Sequence, residues 1–247
     1  MIAAVLETDG LIWLVVTVLL AGMVRGFTGF GSALIYLPIA GIFLPPAWVI
    51  ASLTTIGLFG PWPMFPRAWR QARKGELVRL AVAGAVGIPL GVYLLTKLEP
   101  TAFRWLVSGI SVATLLALAS GWRFRGEITA PLAGITGFIS GVMGGFVGLS
   151  GPPVILLYLS GRKAVEEIRA VILLYLFTTD VVVMTTFWVR DLITLQVFFI
   201  GVALVPSYLI GGLIGQRLFD PKRERLFRGV AYAIILIAAV TGLPLFD

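Results

Sequence analysis

The chain has 247 residues, of which 59% are hydrophobic and 13% charged, and it carries a formal net charge of +7. Because a soluble domain carries about a quarter charged residues, this composition predicts an all-α polytopic membrane protein and excludes an ordinary soluble domain. The sequence has no cysteine and no histidine, which excludes disulfides, thiolate chemistry and histidine metal sites, and we expect no metal and no cofactor. The basic residues lie in short loops beside apolar runs, so they indicate membrane orientation rather than a nucleic-acid partner.

Apolar blocks follow one another along the chain. The first ten residues, MIAAVLETDG, have no basic region and carry Glu7 and Asp9, so we expect no cleaved signal peptide and an N-terminus outside the cell. Most blocks have about the 20 residues needed to cross a hydrocarbon core of about 30 Å. The blocks cover residues 11–44, 47–65, 77–96, 102–121, 130–160, 169–189, 192–216 and 226–245.

Two of these blocks are too long for one crossing, and both contain glycine-rich interruptions. Block 11–44 has 34 residues and block 130–160 has 31; as one helix the first would be about 51 Å long at ~1.5 Å per residue. Glycine and proline interrupt helices, so we predict two arms in each block, 11–27 with 32–44 and 130–147 with 152–160. Each pair is either a re-entrant hairpin or two short full crossings.

The distribution of basic residues favours broken blocks that return to the side from which they entered. If every block crossed once, the loops would divide lysine and arginine eight against ten, without bias. If both broken blocks return, 15 of the 19 basic residues fall on one side, as expected for the cytoplasmic face. This arrangement predicts that both termini lie outside. The basic stretch 67–79 could contact anionic lipids, although orientation alone explains it more simply.

The two halves of the chain resemble each other. GMVRG at 22–26 matches GFISG at 137–141, and LEPTAFR at 98–104 matches FDPKRER at 219–225. In the second match an acidic residue precedes a proline that suits the start of a helix. Each half, 1–121 and 122–247, is predicted to hold one broken pair plus three transmembrane helices. Because each half then crosses the membrane an odd number of times, the second half has the opposite orientation in the membrane. Inverted repeats within one membrane domain are typical of secondary transporters with a site at the midplane.

The two interruptions are predicted to form an anion site. The second arms begin near Ser32 and near Ser150, where free N–H groups and the positive end of the helix dipole would point inward. The substrate-binding residues predicted at the breaks are Thr28, Gly29, Gly31, Ser32, Gly148, Ser150, Gly151 and Pro152. The glycines of the flanking arms are predicted to pack helices instead: Gly22, Gly26, Gly137, Gly141, Gly144 and Gly145.

Two ionisable residues lie inside apolar blocks, where a charge costs at least about 2.5–3.5 kcal/mol. Arg25 precedes the first break and is predicted to bind the anion, whereas Asp180, near the middle of its span, is predicted to carry a coupling proton. The alternative is a structural Arg25–Asp180 pair, or an arginine that reaches the membrane interface. Thr28, Thr178 and Thr179 could donate hydroxyls to the site or bond the carbonyls of their own helices.

Two glycine-rich broken segments in two four-block halves resemble the sulfite exporter TauE/SafE family, also called TSUP. The resemblance covers essentially the whole chain and rests on GFTGFGSALIYLP at 26–38, GFISGVMGGFVGLSGPPVILLYL at 137–159 and the basic loops. It implies transport of sulfite, sulfonates or related organosulfur compounds across the bacterial cytoplasmic (inner) membrane. The family's break often reads Gly-x-Gly-Gly-Gly, whereas this chain has GFGSA and GLSGPP, which leaves the particular substrate open.

These observations together predict a secondary transporter that moves a small anion by alternating access, coupled to protons or another ion. We do not expect an enzyme, because the chain lacks histidine and cysteine and has few acidic residues inside its apolar blocks. The sequence contains no nucleotide-binding P-loop, so we do not expect ATP to drive transport directly. An anion channel, or a transporter of a carboxylate without sulfur, is the alternative. The predicted partners are the anionic substrate and the lipid bilayer, and a homodimer is left open.

Overall fold

The structure is a computed structural model that describes residues 7–60, 65–121, 124, 126, 128–158, 165–220 and 223–245. Within these ranges the secondary structure consists of eleven α-helices and no strand, so the all-α prediction is confirmed. In chain order the helices are α1 (Leu11–Thr28), α2 (Ser32–Phe43), α3 (Pro46–Phe59), α4 (Phe65–Gln71), α5 (Lys74–Leu95), α6 (Pro100–Ala119), α7 (Ala130–Val147), α8 (Gly151–Tyr158), α9 (Val165–Val189), α10 (Leu195–Leu218) and α11 (Glu224–Thr241).

Six of the described helices are long and apolar enough to cross a membrane: α1, α5, α6, α7, α9 and α10. Helices α2 and α3 are apolar but shorter, with 12 and 14 residues, and α8 has eight. Helix α11, which carries Arg225 and Arg228 near its start, is not among the six, although the sequence predicts a crossing at 226–245. The chain is therefore a multi-pass membrane protein with six candidate spans among its described residues.

Both long apolar blocks are broken where the sequence predicts. Helix α1 ends at Thr28 and α2 begins at Ser32, whereas α7 ends at Val147 and α8 begins at Gly151. The predicted end of the second arm, at residues 159 and 160, lies outside the described residues. Pro152 occupies the first turn of α8, as predicted from its fixed backbone angle.

One helix was not predicted from the sequence. Residues 66–76 lie between the predicted blocks 47–65 and 77–96, but Phe65–Gln71 form helix α4, which lies against α9. The Phe65 ring packs edge-on against Phe177, with 5.0 Å between the centroids, and Ala68 is buried. Some basic residues of the predicted loops lie outside the described residues: Arg123, Arg125, Arg162, Lys163 and Lys222. Pro221, predicted to begin the last helix, also lies outside them.

The helices form two compact units. The first unit comprises Met1–Ile56, Leu98–Leu116 and Ile193–Asp247, and the second comprises Gly57–Lys97 and Ala117–Leu192. Each unit contains helices from both halves of the chain. The first packs α1 against α10, and the second packs α7 against α5.

Glycines allow α1 and α10 to approach each other backbone to backbone in the first unit. A Cβ atom placed on Gly22 would lie 3.1 Å from the nitrogen of Gly212, and one placed on Gly26 would lie 3.0 Å from the nitrogen of Gln216. Because the contact positions increase together on both helices, α1 and α10 run parallel. Close packing through small residues is the usual means of association for helices in membranes.

The second unit repeats this arrangement with α7 and α5. A Cβ atom placed on Gly137 would lie 3.0 Å from the Cα of Leu80, and one placed on Gly145 would lie 2.8 Å from the nitrogen of Val92. These helices also run parallel. The packing prediction is confirmed for Gly22, Gly26, Gly137, Gly141 and Gly145. Gly144 differs, because it faces the side chain of Ser150 in its own break.

Three contacts join segments that are distant in sequence at the ends of helices. In the first unit Gly10, which precedes α1, lies against the ring of Phe43 at the end of α2. In the same unit, the buried Arg104 of α6 donates from Nε to the carbonyl of Gly242, just after α11, at 3.1 Å. In the second unit, Nε of Arg73 lies 2.6 Å from Oε1 of Glu167 in the first turn of α9.

Candidate functional site

The first break is a short turn whose backbone requires glycine. Gly29 and Gly31 have φ angles of 83° and 95°, in the left-handed region that side chains rarely adopt. The N–H of Gly29 donates to the carbonyl of Arg25 at 2.8 Å and closes the last turn of α1. Helix α2 then begins at once with Ser32, whose side chain is buried. The chain therefore reverses within three residues without placing a side chain at either glycine.

Arg25 lies one turn before this break and is partly buried. Within its own unit, its guanidinium has no hydrogen-bond or ion-pair partner among the described residues. The alternative pairing with Asp180 would join residues of different units. An arginine without a carboxylate partner in a transmembrane helix is a costly arrangement that suits a binding site for an anion.

The start of α2 supplies hydrogen-bond donors at the same break. The first N–H groups of any helix lack acceptors within the helix, and here they belong to Gly31, Ser32, Ala33 and Leu34. No side chain caps this end of the helix. The positive end of the helix dipole and these N–H groups favour an anion.

Helix α8 begins with fewer such donors than α2. Of the three residues that open it, only Gly151 has a backbone N–H, because Pro152 and Pro153 have none. The two breaks therefore differ chemically, although both contain glycine: the first has a full set of helix donors and an arginine, and the second has a reduced set.

A hydroxyl network holds the second break. Gly148 has a φ angle of 76° and ends α7. The hydroxyl of Ser140 donates to the carbonyl of Ser150, and the hydroxyl of Tyr175 donates to Ser140 at 2.8 Å. Ser140 and Tyr175 are fully buried. The network ties α9 to the turn between α7 and α8, and therefore keeps the start of α8 in place.

The three threonines near the predicted site bond their own helices. Thr28 donates to the carbonyl of Val24 or Phe30, each at 2.7 Å, and accepts the N–H of Phe30 at 3.2 Å. Thr178 and Thr179 donate to carbonyls of α9. The second of the two interpretations, that the threonines bond carbonyls of their own helices, is therefore confirmed for Thr178 and Thr179, whereas Thr28 also bonds Phe30, which lies beyond the end of α1. Thr28 shapes the first break through its bond to Phe30.

Asp180 is partly buried on α9, and its carboxylate lies against the backbone of α3 at Gly57. A Cβ atom at Gly57 would collide with this carboxylate, with its Cγ at 2.8 Å. Glycine at this position therefore makes room for an acid inside the membrane-spanning part of the second unit. Among the described residues, no group of three His, Cys, Asp or Glu side chains could hold a metal ion.

The predicted site residues form two sets. Arg25, Thr28, Gly29, Gly31 and Ser32 come together at the first break, in the first unit. Gly148, Ser150, Gly151 and Pro152 come together at the second break, in the second unit, which also contains Asp180.

Sequence reasoning missed two residues at the second break, Ser140 and Tyr175. They lie ten residues before and 25 residues after Ser150 in the sequence, so no local pattern connects them. The only available signal was a serine inside a stripe of glycines on α7, where a polar side chain needs a partner.

Comparison with known proteins agrees with these features. The family described as "Sulfite exporter TauE/SafE" matches residues 14–242. The chain belongs to the TauE/SafE family. A relative from Cupriavidus necator, described as a probable sulfite/organosulfonate exporter TauE, is 29% identical over 235 residues, which cover 88% of each chain. No solved structure matches the chain. The resemblance found in the sequence is thereby confirmed: the chain is a TauE/SafE-family membrane transporter.

Proposed function

We propose that this chain is a secondary transporter of small sulfur-containing anions, such as sulfite or sulfonates, that works by alternating access. The observation that carries the proposal is Arg25. Its guanidinium has no partner among the described residues of its unit, and it lies one turn before a glycine break that opens onto a helix N-terminus. The class of substrate is suggested by the family and by the described activity of the Cupriavidus relative.

The first break suits an oxyanion on physical grounds. A buried charge costs about 2.5–3.5 kcal/mol at the centre of a span and less towards its end, and a bound anion would offset the cost that Arg25 carries in the last turn of α1. A guanidinium can donate two parallel hydrogen bonds to two oxygens of a sulfite or sulfonate head group. Gly29 and Gly31 leave the backbone open to such a ligand, and the N–H groups at the start of α2 supply further donors.

The second break plays a smaller part in this proposal. Its contribution rests on Ser150 and on the N–H of Gly151, with Gly148 and Pro152 shaping the turn. The Ser140–Tyr175 network would hold these groups ready for a ligand. Asp180 is proposed to carry the coupling proton, because it is a carboxylate inside a candidate span, packed against a glycine.

The helix pairing supports two inverted repeats. If α1 corresponds to α7 and α10 to α5, the pairs α1–α10 and α7–α5 are two copies of one parallel, glycine-mediated contact. Each copy takes one helix from each half of the chain. Two equivalent contacts, each between one helix of the first half and one of the second, are expected when the halves are related by an approximate twofold axis in the membrane.

Contacts within each unit support broken blocks that return to the side of entry. If each block crossed only once, Arg73 and Glu167 would lie on opposite sides of the membrane, and so would Arg104 and Gly242. Instead, each pair is in contact. The basic loops then share one face, which the positive-inside rule assigns to the cytoplasm, and both termini are proposed to lie outside.

Counterflow in proteoliposomes tests this function and separates a transporter from a channel. Vesicles loaded with unlabelled sulfite should accumulate labelled sulfite against its gradient if transport is stoichiometric exchange through an alternating-access site. A channel would only equilibrate the label. A panel of sulfonates and sulfur-free carboxylates as competitors then identifies the head group. Equal competition by carboxylates and sulfonates would contradict the proposed substrate class.

A further inference from the structure

Helix α4 has two chemically different sides. Phe65 and Ala68 face α9, where the Phe65 ring contacts Phe177. Arg67, Trp69 and Arg70 are exposed on the other side, and Trp69 is 50% exposed. The helix is therefore amphipathic, with an apolar side that packs on the protein and an outer side composed of arginine and tryptophan.

The end of α4 lies near a membrane surface, whereas its first residue, Phe65, packs against Phe177 in the middle of α9. The helix ends at Gln71, and the candidate span α5 begins at Lys74. The last residues of α4 and the first of α5 therefore lie towards the lipid head groups, where tryptophan is enriched. Nζ of Lys74 lies 5.2 Å from the centroid of the Trp69 ring, so the lysine and the tryptophan form one continuous surface.

The charges of this surface are largely available to a ligand. Arg67 and Arg70 have no ion-pair partner among the described residues. Arg73 differs, because it pairs with Glu167 and fixes the connection between α4 and α5 to the start of α9. Among the described residues, no carboxylate pairs with the three cations of this surface, Arg67, Arg70 and Lys74, which lie beside one exposed indole.

We infer that α4 and the first residue of α5 bind the head group of a phospholipid with a net negative charge. Guanidinium groups donate paired hydrogen bonds to phosphate oxygens, the ammonium of Lys74 adds a positive charge, and the indole of Trp69 lies beside the glycerol region. Orientation of the chain would require only basic residues in this loop. It would not require a folded helix that is docked by its apolar side and exposes a tryptophan among the cations.

Native mass spectrometry of the purified full chain with added phosphatidylglycerol or phosphatidylcholine tests this inference. We expect tighter binding of phosphatidylglycerol, weakened by high salt because these charges are exposed. The variant Arg67→Gln/Arg70→Gln should lose about five-fold in affinity per arginine removed. Arg67→Lys/Arg70→Lys keeps the charges but loses the paired guanidinium hydrogen bonds, so its affinity should fall between those of the wild type and the glutamine variant.

A matched control distinguishes a binding surface from net charge. Arg217 and Arg225 are exposed on α10 and α11, so Arg217→Gln/Arg225→Gln removes the same charge elsewhere. We expect this variant to bind phosphatidylglycerol within about two-fold of the wild type. Equal losses in both glutamine variants would overturn the inference. If the α4 variant fails to fold, the comparison of the two lipids on the wild type still tests the inference. Equal binding of phosphatidylglycerol and phosphatidylcholine by the wild type would also overturn the inference. Sulfite transport does not enter this readout.

Discussion

Replacing Gly141 with alanine tests the close approach of α7 to α5. The added methyl carbon would lie 2.7 Å from the Cα of Gly84 and 2.8 Å from its carbonyl carbon, whereas ordinary contacts begin at 3.4 Å. The shortfall against the Cα is about 0.7 Å, and the carbonyl oxygen of Gly84 lies closer still. Both are backbone atoms, which cannot rotate aside as a flexible side chain can. Overpacking of this kind costs about 1–3 kcal/mol, so we expect Gly141→Ala to lower the free energy of unfolding by that amount.

Gly134→Ala is the matched control on the same helix, because nothing lies within 4 Å of its added methyl group. We expect this variant to be neutral or up to about 1 kcal/mol more stable, since alanine favours helix over glycine. The free energy of unfolding can be followed in detergent by the fluorescence of the seven tryptophans as denaturant is added. Equal stability of the two variants would refute the backbone-to-backbone packing of α5 and α7.

Three further changes follow from single contacts. Arg104→Gln removes the donor that holds the carbonyl of Gly242 at 3.1 Å and should cost about 1.5–3 kcal/mol of unfolding free energy; a loss below about 0.5 kcal/mol would contradict this. Tyr175→Phe removes the 2.8 Å hydrogen bond to Ser140 and should lower the free energy of unfolding by about 1 kcal/mol. An unchanged unfolding curve would show that the network does not stabilise the second break. Asp180→Asn keeps the shape of the side chain but cannot carry the proton. Accumulation of sulfite driven by a pH gradient across proteoliposomes should therefore stop, while counterflow continues. Retained accumulation under a pH gradient would contradict a coupling role for Asp180.

The breaks in the two long blocks were predictable because their causes are local. Left-handed backbone at Gly29, Gly31 and Gly148 requires glycine, and Pro152 suits a first helical turn. The second local signal was the length of each block, which as a single helix would exceed the thickness of the hydrocarbon core. The family resemblance rests on the same glycine-rich segments, and the match over residues 14–242 confirms it.

Other features depend on contacts between distant segments, which one sequence does not reveal. Arg104 lies near the start of the predicted block 102–121, and only the structure shows that it is buried and bonds the backbone after α11. Helix α4 was missed because its seven residues are too few and too basic for a hydrophobic pattern to stand out. The weak donor set of α8 could have been found, since Pro153 is visible in the sequence and proline has no N–H.

The claim that Arg25 binds the transported anion is tested most directly by titrating sulfite into the purified protein by calorimetry. The wild type is compared with Arg25→Gln, which removes the charge, and with Arg190→Gln, which removes an exposed arginine at the end of α9. We predict saturable binding to the wild type and to Arg190→Gln, and at least about ten-fold weaker binding to Arg25→Gln, which corresponds to a loss of about 1.4 kcal/mol. Equal affinity of Arg25→Gln and the wild type for sulfite would contradict the assignment of the site to the first break.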